Sequence, residues 1–359
     1  MTGSRKDDHV RLATAQHQAT GEDTATETAS PPSQFDEVRF VHHALAGTDR
    51  ERVSLRTRFG GLEWPVPLYI NAMTGGSAKT GEINRGLATA ARETGVPIAT
   101  GSMSPYLKDS STAGTFSPIR ECNPDGFVMA NVNTNATAEQ ARRAVDLLNA
   151  DALQIHLNAV QETVMPEGDR SFGHWPGAIE AITAAVDVPV IVKEVGFGLS
   201  GRTVSQLAKM GVRAADVAGR GGTDFARIEN SRRSDADFTY LEGWGLSTPV
   251  ALLDARGHGL PLLASGGIRH PLDVARALAL GAHAAGASGG FLTTLLNGGV
   301  NALVQQITAW LEQLTDLMTL LGAHSPAALA DCDVLLTGSL REFCLLRHID
   351  TPGPRGDDR

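Results

Sequence analysis

The chain has 359 residues, 42% of them hydrophobic and 20% charged, with a formal net charge of −9. That length can bury one large core, and an acidic balance without any Lys/Arg block excludes a nucleic-acid binder, which needs clustered basic surface. No apolar run reaches the roughly 18 residues a membrane span requires, and none follows Arg5-Lys6-Asp7-Asp8-His9 as a secretion signal would, so the cytoplasm is the expected compartment.

The chain opens on a charged patch, Arg5 to Arg11. Residues 13–34, rich in Ala, Thr, Glu, Gln and Ser and including Ser30-Pro31-Pro32-Ser33, hold too little apolar surface to offset the entropy of ordering. The expected organisation is an N-terminal segment over 1–35 with a flexible insertion, one folded domain over 36–349 and a flexible tail over 350–359.

From Pro67 onward short apolar runs alternate with helical stretches. The runs are Leu68–Ile70, Pro97–Ala99, Phe127–Ala130, Leu153–Leu157, Val190–Val192, Ala214–Ala218, Leu262–Ala264 and Ala284–Ala287. Helical spacing marks Thr137–Leu148, Trp175–Val186, Val204–Met210 and Pro271–Leu280. Thr137 stands three residues before Gln140, as in a capping box, and Pro271 occupies a first helical turn. Strands alternating with helices imply parallel pairing through right-handed crossovers. Eight such units predict an α/β fold, a (β/α)8 TIM barrel, with a doubly wound sheet as the structural alternative. The least regular unit is the one spanning Asp224 to Gly259. Leu303 to Leu321, with Leu311, Leu314, Met318 and Leu321 at helical spacing, reads as the last barrel helix or an oligomer face.

The fourth run carries the most functional information. Alternation places Leu153, Ile155 and Leu157 on one face and Gln154, His156 and Asn158 on the other, with Gln161 and Glu162 following. A strand face that turns polar at its C-terminal end lies where such barrels keep their chemistry. Ser265-Gly266-Gly267-Ile268-Arg269 and Ala287-Ser288-Gly289-Gly290 follow the seventh and eighth runs, the usual phosphate cradle of this fold, where small residues let backbone amides approach an anion. Lys193 turns inward with Ile191 and Val195 and needs an acceptor, either a flavin or a neighbouring carboxylate such as Glu194. Asn131 and Asn133 end the third run, Thr74-Gly75-Gly76-Ser77 follows the first, and Gly219-Arg220-Gly221-Gly222-Thr223 the sixth. Cys122, Cys332 and Cys344 lack paired spacing and are expected to be reduced thiols.

These residues together resemble the type 2, flavin-dependent isopentenyl-diphosphate isomerases. The resemblance runs through Arg5-Lys6-Asp7-Asp8-His9, Phe40-Val41-His42-His43-Ala44-Leu45, Asn71-Ala72-Met73-Thr74-Gly75-Gly76-Ser77 and His156-Leu157-Asn158-Ala159-Val160-Gln161-Glu162. It continues through Pro166 to Phe172, Val192 to Gly196, Gly219 to Glu229 and Ser265 to Arg269. It implies conversion of isopentenyl diphosphate to dimethylallyl diphosphate with reduced FMN and Mg2+, and NADPH as the reductant that primes the flavin. It also implies that Arg5, Lys6 and His9 cap the mouth over the diphosphate, and that Ser102, His156, Asn158 and Gln161 line the substrate pocket. Gln161 and His156 are the catalytic candidates, Gln161 as an orienting partner because an amide has no useful pKa. Glu162 would hold Mg2+. FMN contacts are implied for Met73, Thr74, Gly75, Ser102, Asn131 and Lys193, and for Thr223, Gly266, Gly267, Arg269, Ala287 and Ser288. A homotetramer or octamer is implied as well.

One departure stands out. Many members read Gly-Ser-Gln-Arg where this chain has Gly101-Ser102-Met103-Ser104, so an arginine expected at the diphosphate is missing, and Lys108 is placed to compensate. The departure keeps a related prenyl diphosphate open as substrate. Two other readings compete. An FMN-dependent oxidoreductase of the α-hydroxy-acid oxidase type would need a His base with an Arg pair, but His258-Gly259 is followed by Leu260. A non-catalytic FMN-binding protein would not need the Gln161-Glu162 pair.

Overall fold

A computed structural model describes residues 10–12, 14–16, 33–234 and 237–350. Arg5, Lys6 and His9, most of the expected flexible insertion and all but the first residue of the expected tail lie outside the described residues.

Four short strands precede the first barrel helix, Ala78–Thr94: β1 (Val38–Phe40), β2 (Thr57–Phe59), β3 (Leu62–Trp64) and β4 (Leu68–Ile70). The series continues with β5 (Ile98–Ala99), β6 (Val128–Asn133), β7 (Ala152–His156), β8 (Val190–Lys193), β9 (Ala214–Asp216), β10 (Leu262–Ser265), β11 (Ala282–Ala287) and β12 (Val334–Leu336). Strands β4 to β11 close into a parallel barrel in chain order, with β11 pairing back onto β4. Closure excludes the doubly wound alternative, and each of the eight expected runs is one barrel strand.

Local sequence explains the helices. Thr137 caps Ala138–Leu148 through the expected box with Gln140, and Asn149 ends it in the left-handed conformation. The irregular stretch after β9 resolves into two helices, Phe225–Asn230 and Thr248–Ala255. The last long helix, Gly289–Leu321, breaks at Gly299, whose φ of 74° only glycine adopts readily. Its face of Leu303, Ile307, Leu314 and Met318 is buried in the main core.

The hydrophobic mass divides in two. Outward-facing residues such as Leu153, Ile155, Val192 and Ala215 join the helices in the main core. Inward-facing Met129, Ala152, Ile191, Ala214 and Leu263 form a separate cluster with Phe59, Leu62 and Trp64 of the β2–β3 hairpin, which plugs the barrel floor. Phe59 meets Trp64 edge-on at 4.9 Å. Strand β1 pairs antiparallel with β12, joining the two ends of the folded domain.

The N-terminal residues that are described are helical and pack on the rim. Val10 is buried, and the Gln16 side-chain amide exchanges two hydrogen bonds with the Asp224 backbone, at 3.0 and 3.3 Å. That amide satisfies both backbone groups of a residue 208 positions away.

Candidate active site

A cavity of about 710 Å³ opens at the C-terminal ends of the barrel strands, and every strand-end loop contributes to its wall. That volume is within the range of small-molecule sites. Its wall includes Met73, Thr74, Ser102, Asn131, His156, Asn158, Gln161 and Glu162, and on the other side Lys193, Thr223, Gly266, Gly267, Ala287 and Ser288. Residues expected from all eight strand ends are therefore brought together. Lys108 joins them.

Two expected cofactor residues do not line the cavity. A Cβ on Gly75 would fall 2.0 Å from the Phe116 ring, so that glycine serves close packing beneath the loop. The Arg269 guanidinium is held by Asp273 (2.7 Å) and Asp36 (2.7 Å), and these carboxylates keep it fully charged. Asp36 belongs to the turn before β1, and nothing near Arg269 in sequence foretells it.

One wall is a phosphate cradle in form. Gly266 has φ +91° and a Cβ there would sit 1.9 Å from the Gly219 carbonyl, so the loops after β9 and β10 touch backbone to backbone. Ser288, Gly289 and Gly290 bring the start of the last long helix to the same wall, where its first N–H groups lack intrahelical partners. The Thr74 hydroxyl is buried with no partner among the described residues.

The floor of the cavity is polar and buried. Lys193 donates to the Glu194 carbonyl at 2.6 Å; burial pulls its pKa down, opposed by the charges of Asp216 and Glu194. Asp216 is fully buried and accepts hydrogen bonds from Tyr69 (2.7 Å), Asn71 (3.0 Å) and Ser265 (2.8 Å). Burial and the Asp216 carboxylate raise the Tyr69 pKa well above normal, so its hydroxyl stays a donor. The Glu194 carboxylate accepts three successive backbone N–H groups, yet burial outweighs them and pushes its pKa up to about 7.

The wall after β7 is a second network. Gln161 donates to the buried Glu229 at 2.8 Å, and Glu229 is in turn paired with Arg232, which reaches Glu167 at 3.0 Å. Glu162 accepts from the Asn158 amide at 2.9 Å and, through its second oxygen, from the Asp169 backbone at 2.9 Å. The Pro166-to-Ser171 loop is thereby folded over the carboxylate. A Cβ on Gly168 would lie 2.0 Å from the Glu162 carbonyl, which is why glycine stands there.

Sequence reading missed Glu229, Asp216 and Asn71 as site residues. Asp216 had a usable signal, a lone acid within the apolar run Ala214–Ala218. Glu229, on the short helix Phe225–Asn230, had none beyond its place in a resembling block. His258, whose surroundings do not match the pattern an oxidase would need, bonds to Ser205 outside the cavity lining.

Residues 119–335 match the FMN-dependent dehydrogenase family. Isopentenyl-diphosphate delta-isomerases from Kitasatospora griseola and Streptomyces sp. (strain CL190) are 65% and 63% identical, covering 97% and 98% of this chain and 93% and 94% of theirs. The enzyme of that name from Listeria innocua is 43% identical over 96% of this chain and 95% of its own. Among solved structures, a mandelate oxidase variant with (S)-mandelic acid superposes with a TM-score of 0.63 over 94% of this chain and 95% of that one, at 18% identity. That likeness concerns the fold alone.

Proposed function

The chain belongs to the FMN-dependent isopentenyl-diphosphate delta-isomerases, and from that membership we propose that it converts isopentenyl diphosphate to dimethylallyl diphosphate using reduced FMN and Mg2+. The observation that carries the reading is the polar wall of His156, Asn158, Gln161 and Glu162 set in one cavity with a glycine-rich phosphate cradle.

The residues fit the cofactor on the structure's own terms. A cradle in which side chains would collide, a buried Thr74 hydroxyl without a protein partner and a buried Lys193 ammonium all suit a phosphate-bearing flavin. Gly266, Gly267, Ala287 and Ser288 would hold its phosphate, Thr74 and Lys193 its polar ring edge. Reduced FMN, primed by NADPH, supplies an electron-rich anionic surface that offsets positive charge developing on an alkene carbon.

The reaction adds a proton to the terminal carbon and removes one from the carbon beside the CH2O group, so no net oxidation occurs. Gln161, clamped by Glu229, orients the reacting carbons without exchanging protons itself. Ser102, His156 and Asn158 line the substrate pocket. Glu162 would hold Mg2+: its oxygens each accept one hydrogen bond and keep lone pairs for a cation, and Mg2+ commonly takes one protein carboxylate with substrate phosphates and water. Lys108, in the cavity wall, supplies the cation that Ser104 does not.

The test is anaerobic incubation of the FMN-loaded protein with NADPH, Mg2+ and isopentenyl diphosphate in D2O, followed by proton NMR. Dimethylallyl diphosphate is expected only with reduced flavin and is lost on Mg2+ chelation. FMN reduction without movement of the alkene would overturn the reading for this substrate, and a related prenyl diphosphate would be tried next.

A further inference from the structure

A chain of hydrogen bonds crosses the barrel interior and ends on His156. The Asn71 amide donates to Asp216 at 3.0 Å, while its oxygen accepts from the Ala72 backbone N–H at 2.8 Å and from Gln154 Nε2 at 3.5 Å. Gln154 Oε1 accepts from Asn131 Nδ2 at 3.3 Å, and Asn131 Oδ1 lies 2.7 Å from His156 Nδ1. Asn71, Gln154 and Asn131 are buried and sit on β4's end, β7 and β6, so the chain is set by barrel closure and by the Asn131–Gln154 register.

Its direction is forced. A carboxylate only accepts, and each carboxamide has one accepting end and one donating end. With Asp216 accepting at one terminus and the Ala72 N–H fixing the same orientation of Asn71, every later amide has its nitrogen toward Asp216 and its oxygen toward His156. Reversing any one of them would set two like ends against each other in a buried place, at the cost of unsatisfied groups. The last oxygen then faces Nδ1, which must carry a hydrogen.

We infer that Asp216, acting through Asn71, Gln154 and Asn131, fixes the neutral His156 ring as its Nδ1–H tautomer, so that a ligand meeting the other ring nitrogen would meet an unprotonated Nε2. The three amides and Asp216 are positioning residues for His156. Neutral, the ring offers Nε2 as an acceptor; it donates there to an anionic oxygen only once it gains a second proton. The inference rests on the isomerase reading only for the identity of that ligand.

The experiment is nitrogen NMR of the FMN-loaded protein with 15N-labelled histidine rings, the His156 signals being assigned by their loss in His156→Gln. At a pH where the ring is neutral, a protonated Nδ1 and an unprotonated Nε2 are expected. A protonated Nε2 in the unmodified protein would overturn the inference whatever the protein isomerises. Gln154→Leu, which interrupts the chain without touching His156, should let the Nε2–H tautomer appear with FMN stoichiometry retained. A tautomer still wholly Nδ1–H in that variant would show that the chain is not its cause. Gln154→Met makes the same break with a closer fit should Gln154→Leu fail to fold.

Discussion

The lower and upper halves of the barrel interior are built by the same strands, two residues apart, and have opposite chemistry. Tyr69, Met129, Ala152, Ile191, Ala214 and Leu263 meet the Trp64 plug below; Asn71, Asn131, Gln154, Lys193, Asp216 and Ser265 form the buried polar layer directly above. A single step along one face of each strand converts packing into a binding site. The lower half fixes the barrel's geometry, and the upper half spends that rigidity on holding buried polar groups that a looser frame would let rearrange.

Substitutions can break the comparison from either side. The largest effect should come from the polar wall: Gln161→Ala and Glu162→Ala are expected to lower kcat/KM about 10²-fold or more by misplacing the substrate, while FMN, titrated by its absorbance, still binds. Loss of the fold instead would mean that the polar layer also carries the structure. Trp64→Ala should act in the opposite sense, costing about 3–5 kcal/mol in denaturant unfolding through the cavity left in the floor. FMN affinity of the remaining folded protein should change little, and a large drop would show that the two halves are coupled.

Smaller effects sharpen the picture at the rim. Lys108→Met should raise KM for isopentenyl diphosphate about ten- to a hundredfold with kcat little changed, as loss of one charge-assisted contact predicts, and Lys108→Arg should restore most of it. An unchanged KM would leave the isomerase reading intact and remove Lys108 from it. The last effect is a pH dependence confined to the upper half. The Glu194 carboxyl keeps its proton up to about 7 in the folded protein, whereas the exposed group releases it near 4.5. Between these values the folded state binds more protons, so stability should fall as pH rises and then level off, by no more than about 3 kcal/mol. Glu194→Gln keeps an acceptor for the three N–H groups and should flatten that slope in thermal melts.

How much of this is legible in the chain varies with the range of the cause. The polar face of β7 follows from alternation alone, and so do the eight strands and the Thr137 cap, since each depends on neighbours within a few residues. The glycine-lined wall of the cavity was legible in outline, because glycine pairs follow the seventh and eighth barrel strands, though which glycines line the cavity was not: Gly75 packs against Phe116 instead. Arg269 looks like a phosphate ligand in its loop and is taken by Asp36, 233 residues away.

The sequence by itself determined the eight barrel strands, their faces and the loops at which polar groups gather, because a period of two and the conformational freedom of glycine are local properties. Tertiary structure alone decided which polar group meets which: Gln161 with Glu229 across 68 residues, Asn71 with Asp216 across 145, and Gln16 with Asp224 across 208. A buried donor must find an acceptor, but the candidates that come within reach are chosen by closure of the barrel, which brings its first and last strands side by side.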